Sequence, residues 1–312
     1  LKLGADLIVW CRMCRADLIS ALNLGVDMID LSIPVSDQQI TKKLGRDRDY
    51  VLGLIPPMIK EARDHGFDVI VGGEDSARAD PEFLAQVLET AQRAGARRFR
   101  FADTMGCMEP IGVKRIFEFM RERSDLELEM HAHDDFGLAT ANTLAAALGG
   151  ATHANTTVHG LGERAGNAAM EEVVVGLNYL HQIDTGIDLS HYDVVSKLVS
   201  NASGREIPWQ KSIVGEGVFT HEAGIHVDGL LKDPANYQTI DPRAFGREHR
   251  LMLGKHSGTN AISSAYEKIG IHLEEWQACS ILDQVRMFAT ITKCEPQTSD
   301  LYTFYQKVQG NG

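Results

Sequence analysis

The sequence is short of several things, and each shortage narrows what the chain can do. No apolar run reaches the roughly 18 residues that a membrane-spanning helix needs, and no charged-then-apolar leader opens the chain. A cytoplasmic protein with no membrane partner is the expectation. Basic residues are the scarcer charge, with 31 Lys plus Arg against 43 Asp plus Glu and a net charge of −12. They form no basic block, so nucleic acid and anionic surfaces are poor partners. The 5 cysteines among 312 residues are too few for a disulfide framework, which fits a reducing compartment. Cys11 and Cys14 have the CxxC spacing of a thiol redox motif, but they lack the usual Gly-Pro between them. No glycine-rich phosphate turn follows the first strand-like run, which counts against a dinucleotide-binding open sheet. The chain starts at Leu1 with residues 3–10 already reading as the approach to a buried strand, so an upstream piece is expected.

What is present is an alternation. Strand-like runs at 7–10, 26–31, 67–72, 98–102, 126–131 and 153–158 are separated by amphipathic stretches at 15–24, 50–65, 81–94, 112–121, 138–148 and 168–181. This order predicts a parallel sheet covered by helices. Asp80-Pro81 supplies a cap and an N1 proline for one helix, and Gly25, Gly66 and Gly95 close three others. Six such units are two short of an eight-stranded (β/α)8 TIM barrel, which takes about 250 residues. The expected fold is that barrel, with its first two units upstream of this chain, over residues 1–188. Beyond it, 189–312 reads as a mostly helical region, with helical periodicity at 220–231, 260–269, 275–293 and 301–308 and a loop-rich joint at 203–217.

The polar residues collect after the strands. Ser36-Asp37, Glu74-Asp75-Ser76, Asp103-Thr104, His131 to Asp135 and His159 to Asn167 each follow a predicted strand. In a barrel these are loops of the C-terminal face, where active sites are built. His131 and His133 lie two apart at a strand end and so point the same way. Two imidazoles so placed can ligate a divalent cation, or they can form a hydrogen-bonded pair at a strand tip. Their setting among polar loops favours the metal. In the C-terminal region, 254–258 (GKHSG) reads equally as an anion site at Lys255 or as a helix cap at Ser257.

The segments HAHDDFGLATAN (131–142), HGLGERAGN (159–167), GGEDSARADPEF (72–83), FADTMG (101–106), FTHEAGIHVDGLLK (219–232) and LGKHSG (253–258) together resemble the metal-dependent Claisen condensation enzymes, the isopropylmalate and homocitrate synthases. The resemblance covers nearly the whole chain. PVSD (34–37), GRDRD (45–49) and the GGED form of the acidic loop point within that family to the homocitrate synthases of nitrogen fixation. The Arg-Asp-Gly-Glu motif of the family's first strand, whose Asp binds the metal, is absent.

The resemblance implies an acyltransferase that condenses acetyl-CoA with 2-oxoglutarate and hydrolyses the thioester to homocitrate and CoA. Isopropylmalate synthase chemistry with another 2-oxo acid is the alternative. It further implies His131, His133 and Asn167 at a divalent ion (Mg, Mn, Fe or Zn), and Thr104 and Gln39 against the acceptor. Glu74, His226 and Tyr237 are the implied catalytic groups, the last two supplied across a homodimer. A cleaving lyase of the same barrel type would carry a cysteine in the glycine-rich loop, and 160–167 has none.

Overall fold

A computed structural model describes residues 4–310 and divides the chain into two compact units, Leu1–Gly186 and Ile187–Gly312. The first unit is built on six strands: β1 (Ile8–Arg12), β2 (Met28–Pro34), β3 (Asp68–Glu74), β4 (Arg98–Asp103), β5 (Glu127–Ala132) and β6 (His153–Asn155). They pair in sequence order, every pair parallel. Parallel neighbours require a crossover, and helices supply it. These are α1 (Arg15–Ala21), the short α2 (Asp37–Gln39), α3 (Arg48–Asp64), α4 (Pro81–Ala94), α5 (Pro110–Arg121), α6 (Ala139–Leu148) and α7 (Met170–His181). A π-turn, Ile40–Leu44, prolongs α2.

Helix ends follow local chemistry. Asp80 caps α4 by accepting from the Phe83 amide, with Pro81 in the first turn, and Gly95 closes it at φ +91°. Asp47 caps α3 in the same way through Tyr50. In contrast, α1 ends at a cap on Leu22, before Gly25.

One face of the sheet is apolar. Leu31, Val71, Phe99, Phe101, Leu128 and Met130 pack in one core with Ile55, Leu88, Phe117 and Val173 of the helices. The residues between them on the same strands point to the other face, and they include the charged Asp30, Arg98, Arg100, Glu127 and Glu129 together with His131. Burial of both faces is usual for a parallel sheet, so the inner-face charges must find partners. Arg100 pairs with Asp30 at 2.8 Å, and Arg98 with Glu129 at 2.9 Å and Glu127 at 3.1 Å.

The second unit holds α8 (Tyr192–Ser203), β7 (Thr220–His221), α9 (Gly224–Lys232), β8 (Arg250–Leu251), α10 (Thr259–Lys268), α11 (Glu275–Thr292) and α12 (Thr298–Gly310). Its core gathers Ile262, Tyr266, Ile281, Val285 and Phe304. The two polar motifs of this unit interlock. The Gly224 amide donates to His256 O at 2.9 Å, and a Cβ on Gly224 would meet Gly258 N at 2.9 Å. Here glycine serves close backbone approach. Ser257 is not the cap of α10; that position is Gly258, while the Ser257 hydroxyl accepts from Gly254 N.

Three expectations need correction. The predicted strand 153–158 stops at Asn155, because the chain turns through a 3-10 segment in which His159 has φ +62°. The helix expected from residue 220 begins at Gly224, since Thr220 and His221 pair with Arg250 and Leu251 as a short parallel ladder. Helix α8 lies where no helix was predicted.

Candidate active site

The β5 register puts His131 beside Ala102 of β4 and Asn155 of β6. His133 lies just beyond the strand, where an antiparallel bridge joins it to Asn167 of the 159–167 loop. The two imidazoles meet edge to face, with centroids 4.9 Å apart. His131 Nδ1 is 3.0 Å from Asn155 Oδ1, which leaves Nε2 for another partner. His133 Nδ1 and Asn167 Oδ1 are both buried with no hydrogen-bond partner. The Asn167 Nδ2 donates to Leu161 O at 3.0 Å, and this sets the amide so that Oδ1 faces away from that contact.

Backbone shape holds the Asn167 loop in place. Asn167 N donates to Gly160 O, and Gly166 has φ +102° with its missing Cβ only 2.1 Å from that carbonyl. Arg164 clamps the outside of the loop, bonding Asp135 at 2.8 Å and Thr104 O at 2.7 Å.

Electrostatics keep the histidines neutral. Burial, then the charges of Arg100 and His133, push His131 down to about 4. Burial and Arg164 lower His133 as well. Neutral nitrogens with open lone pairs beside an unpartnered amide oxygen are the donor set of a divalent cation, and the residues fit one. Among the described residues no further His, Cys, Asp or Glu joins them as a group of three.

The neighbouring loops add the remaining groups of this unit. Glu74 ends β3 and pairs with Lys43 of the π-turn at 2.5 Å. Asp75 is fully buried at φ +61°, where Ser36 donates to it and Arg78 pairs with it at 2.7 Å. Its backbone amide donates to the Thr104 hydroxyl at 2.8 Å, so this side chain retains its own proton to offer. Gln39 Oε1 is buried without a partner. The acidic loop is therefore a hydrogen-bonded frame, not a solvated turn.

His226 and Tyr237 belong to the second unit. Their rings stack at 4.4 Å, and a Cβ on Gly229 would sit 2.4 Å from the Tyr237 ring. His221 and His249 complete an aromatic row, 5.2 Å apart. Cys11 is buried, its thiol raised by burial, and all five cysteines are free. The raised Cys11 thiol disfavours the thiolate that dithiol exchange uses.

Sequence reading missed Asn155, Asp30, Arg98 and Arg100. A signal existed: Arg98-Phe99-Arg100 and Glu127-Leu128-Glu129 alternate charge with apolar residues, which on a doubly covered strand implies a buried charged face.

Comparison with known proteins follows from these motifs. The HMGL-like family model matches residues 2–199, and the homocitrate synthase post-HMGL domain-like model matches 213–293. The chain is 42% identical over 308 residues to 2-isopropylmalate synthase 2 of Caldanaerobacter subterraneus subsp. tengcongensis, covering 99% of this chain and 80% of that protein. It is 42% identical over 301 residues to homocitrate synthase 1 of Nostoc sp., covering 96% and 80%. A putative (R)-citramalate synthase of Methanopyrus kandleri is also 42% identical, over 91% of this chain and 56% of the relative. The chain thus spans between just over half and four fifths of the length of these proteins. In fold it is similar to the hydroxymethylglutaryl-CoA lyase of Pseudomonas aeruginosa, with a TM-score of 0.58 at 24% identity over 66% of this chain and 72% of that one. With both family models in chain order and 42% identity over almost its full length, the chain belongs to the HMGL-like family, in its isopropylmalate and homocitrate synthase branch.

Proposed function

We propose that the protein condenses acetyl-CoA with a 2-oxo acid, and that the acceptor is 2-oxoglutarate, giving homocitrate and CoA. The observation that carries the reading is the set of open donors: two neutral imidazoles and the buried, unpartnered Asn167 oxygen at the mouth of a parallel sheet. His131, His133 and Asn167 would hold a divalent ion there. Such an ion, when bound, polarises the acceptor carbonyl toward attack. Two further β/α units are proposed to complete an eight-stranded barrel around the site.

The chain's own groups supply the rest. The Thr104 hydroxyl has a proton to donate to the acceptor's carboxylate, and Gln39, after β2, has an open oxygen that can accept a hydrogen bond from the substrate or a water. His226 removes a methyl proton from the thioester, an imidazole being suited to that transfer near neutral pH. Tyr237, stacked on it, and Glu74 are proposed to assist in moving that proton. The new bond joins the methyl carbon to the 2-oxo carbon, the oxygen there takes up a proton, and water then cleaves the thioester to release CoA. His226 and Tyr237 are proposed to act across a homodimer.

A dicarboxylic acceptor is favoured by Arg100. Arg100 is in register with Glu129, two residues before His131 on the same face, pairs with Asp30 through Nη1, and has Nε buried without a partner. Guanidinium edges take carboxylates in paired hydrogen bonds. The 42% identities to isopropylmalate, homocitrate and citramalate synthases do not by themselves choose an acceptor. CoA release, followed by thiol titration with 2-oxoglutarate, 2-oxoisovalerate and pyruvate in turn, tests the claim. Turnover with 2-oxoglutarate is expected to be fastest. A clear preference for 2-oxoisovalerate or pyruvate would replace the homocitrate assignment, and no turnover with any acid would remove the synthase reading.

A further inference from the structure

A hydrogen-bond chain crosses three strands of the inner face and ends on His131. Arg98 Nη1 on β4 donates to Glu129 Oε2 at 2.9 Å. Asn155 Nδ2 on β6 donates to Glu129 Oε1 at 3.2 Å, and Asn155 Oδ1 lies 3.0 Å from His131 Nδ1. Arg98 and Glu129 are buried, and the registers Glu129↔His153 and His131↔Asn155 align the chain along β5 and β6.

The direction of each bond follows from the first. A guanidinium only donates, and a carboxylate beside it only accepts. Asn155 must therefore turn its amino group to Glu129, which leaves its carbonyl oxygen for the histidine. His131 in turn must donate from Nδ1. In a neutral ring this places the lone pair on Nε2, whereas free histidine in water prefers the proton on Nε2. The far end is tied down by the same logic. Arg98 Nη2 is 2.7 Å from His153 Nε2, which must accept, and His153 Nδ1 is 2.8 Å from the Thr152 hydroxyl. No member of the chain can reverse alone without setting two donors or two acceptors against each other.

We propose that Asn155, braced by Glu129 and Arg98, is a positioning residue that selects the Nδ1-protonated tautomer of His131 and so presents Nε2 as a ligand for a divalent cation. The ligand role rests on the metal reading given above; the tautomer does not. An oxygen partner on the second ring nitrogen is the usual way a ligating imidazole is oriented, and its loss costs 10–100-fold in metal affinity. A merely structural network would fix the same tautomer, so it is the cation affinity of His131, and not the proton position alone, that distinguishes a positioning role.

The test is nitrogen-15 NMR of the whole chain, labelled at histidine, metal-free and at neutral pH, with His131 assigned through His131→Gln. The expected spectrum has His131 Nδ1 protonated and Nε2 bare. Asn155→Leu is expected to move the proton onto Nε2, wholly or in part, and to weaken Mn²⁺ binding by about 10–100-fold in a calorimetric titration. A wild-type His131 protonated on Nε2 overturns the proposal. So does an Asn155→Leu protein with the wild-type tautomer and Mn²⁺ affinity. If that variant does not fold, the wild-type spectrum still decides. A wild-type protein that holds the Nδ1 tautomer yet binds no Mn²⁺ upholds the brace and removes the metal reading instead.

Discussion

Replacing Arg98 by methionine keeps much of the side chain's apolar stem and deletes its charge, at a place where the charge has nowhere else to come from. The Arg98 and Glu129 side chains are only 7% and 8% exposed, so Glu129 would be left buried beside Asn155 with no cation on its other oxygen. Removing one partner of a buried pair costs about 3–5 kcal/mol, because the remaining ion stays desolvated. His153 Nε2 also loses its donor. Arg98→Met with Glu129→Leu removes both charges; Asn155 and His153 are left short of a partner at about 1–3 kcal/mol for each such group, while Glu127, which also loses Arg98, is part-exposed and keeps Arg97. With about 3–5 kcal/mol for each single loss against about 1–3 kcal/mol for each buried group orphaned in the double variant, the double variant should cost about 4 kcal/mol less than the sum of the two singles, as coupled groups in one network do. Two units make a single unfolding curve ambiguous, so hydrogen exchange at β4 and β5 amides in rising urea is the better assay. Arg93→Met is the control, since its partner Glu89 is an exposed i,i+4 neighbour and such a pair is worth about 0.5 kcal/mol. If Arg98→Met costs no more than Arg93→Met, Glu129 is solvated and the inner-face network described here is wrong.

Two other perturbations probe the histidines from opposite sides. His131 is held down to about 4, against 6.5 for an ordinary imidazole, mainly by burial. The sign is that of a depressed group: its contribution is complete above pH 6.5 and is lost as pH falls toward 4, up to about 3 kcal/mol at 1.36 kcal/mol per unit. The stability read from hydrogen exchange at β5 amides across that window should fall more steeply for the wild type than for His131→Asn, and parallel pH profiles would contradict the burial. In the second unit, Gly229→Ala puts a methyl 2.4 Å from the Tyr237 ring. It should push that ring off His226 and lower kcat at least tenfold with the circular dichroism of the chain unchanged, whereas unaltered turnover would take Tyr237 out of the proposed machinery.

The elements that could be read from sequence are those whose local chemistry and tertiary role agree. For α4 the cap, the proline, the apolar stripe and the closing glycine all name one helix, and its bounds 81–94 come out as predicted. The strands were legible through their apolar outer faces, with ends misplaced by up to three residues. At β6 the expected run overshoots by three, because a left-handed His159 ends the extended run and nothing in its side chain announces a positive φ. Helix α8 escaped because its exposed Val194 and Leu198 mix with a buried Tyr192 and Ser196, so no clean stripe marks the core side. His131 and His133 were found by spacing and Asn167 by its motif. What spacing could not convey is which nitrogen of His131 is open, since that depends on an asparagine 24 residues later whose own orientation is dictated by Glu129 and, through it, by Arg98.

That dependence explains why the inner face of this sheet is charged where a barrel interior is more often packed with branched apolar residues. An apolar layer under His131 would fill space but could not distinguish its two ring nitrogens. Arg98, Glu129 and Asn155 can, and they satisfy one another while doing so, which avoids the desolvation penalty an isolated buried charge would carry. Asp30 and Arg100 form the second such pair at the same depth, and there the match is incomplete. Burial pushes Asp30 up to about 7 despite Arg100, its Oδ1 has no partner, and Arg100 Nε is also open. A closed network beside His131 and an open one at Arg100 divide the floor of the site in two. The closed half fixes which nitrogen of His131 is bare, and the open half keeps an unused acceptor at Asp30 Oδ1 and an unused donor at Arg100 Nε.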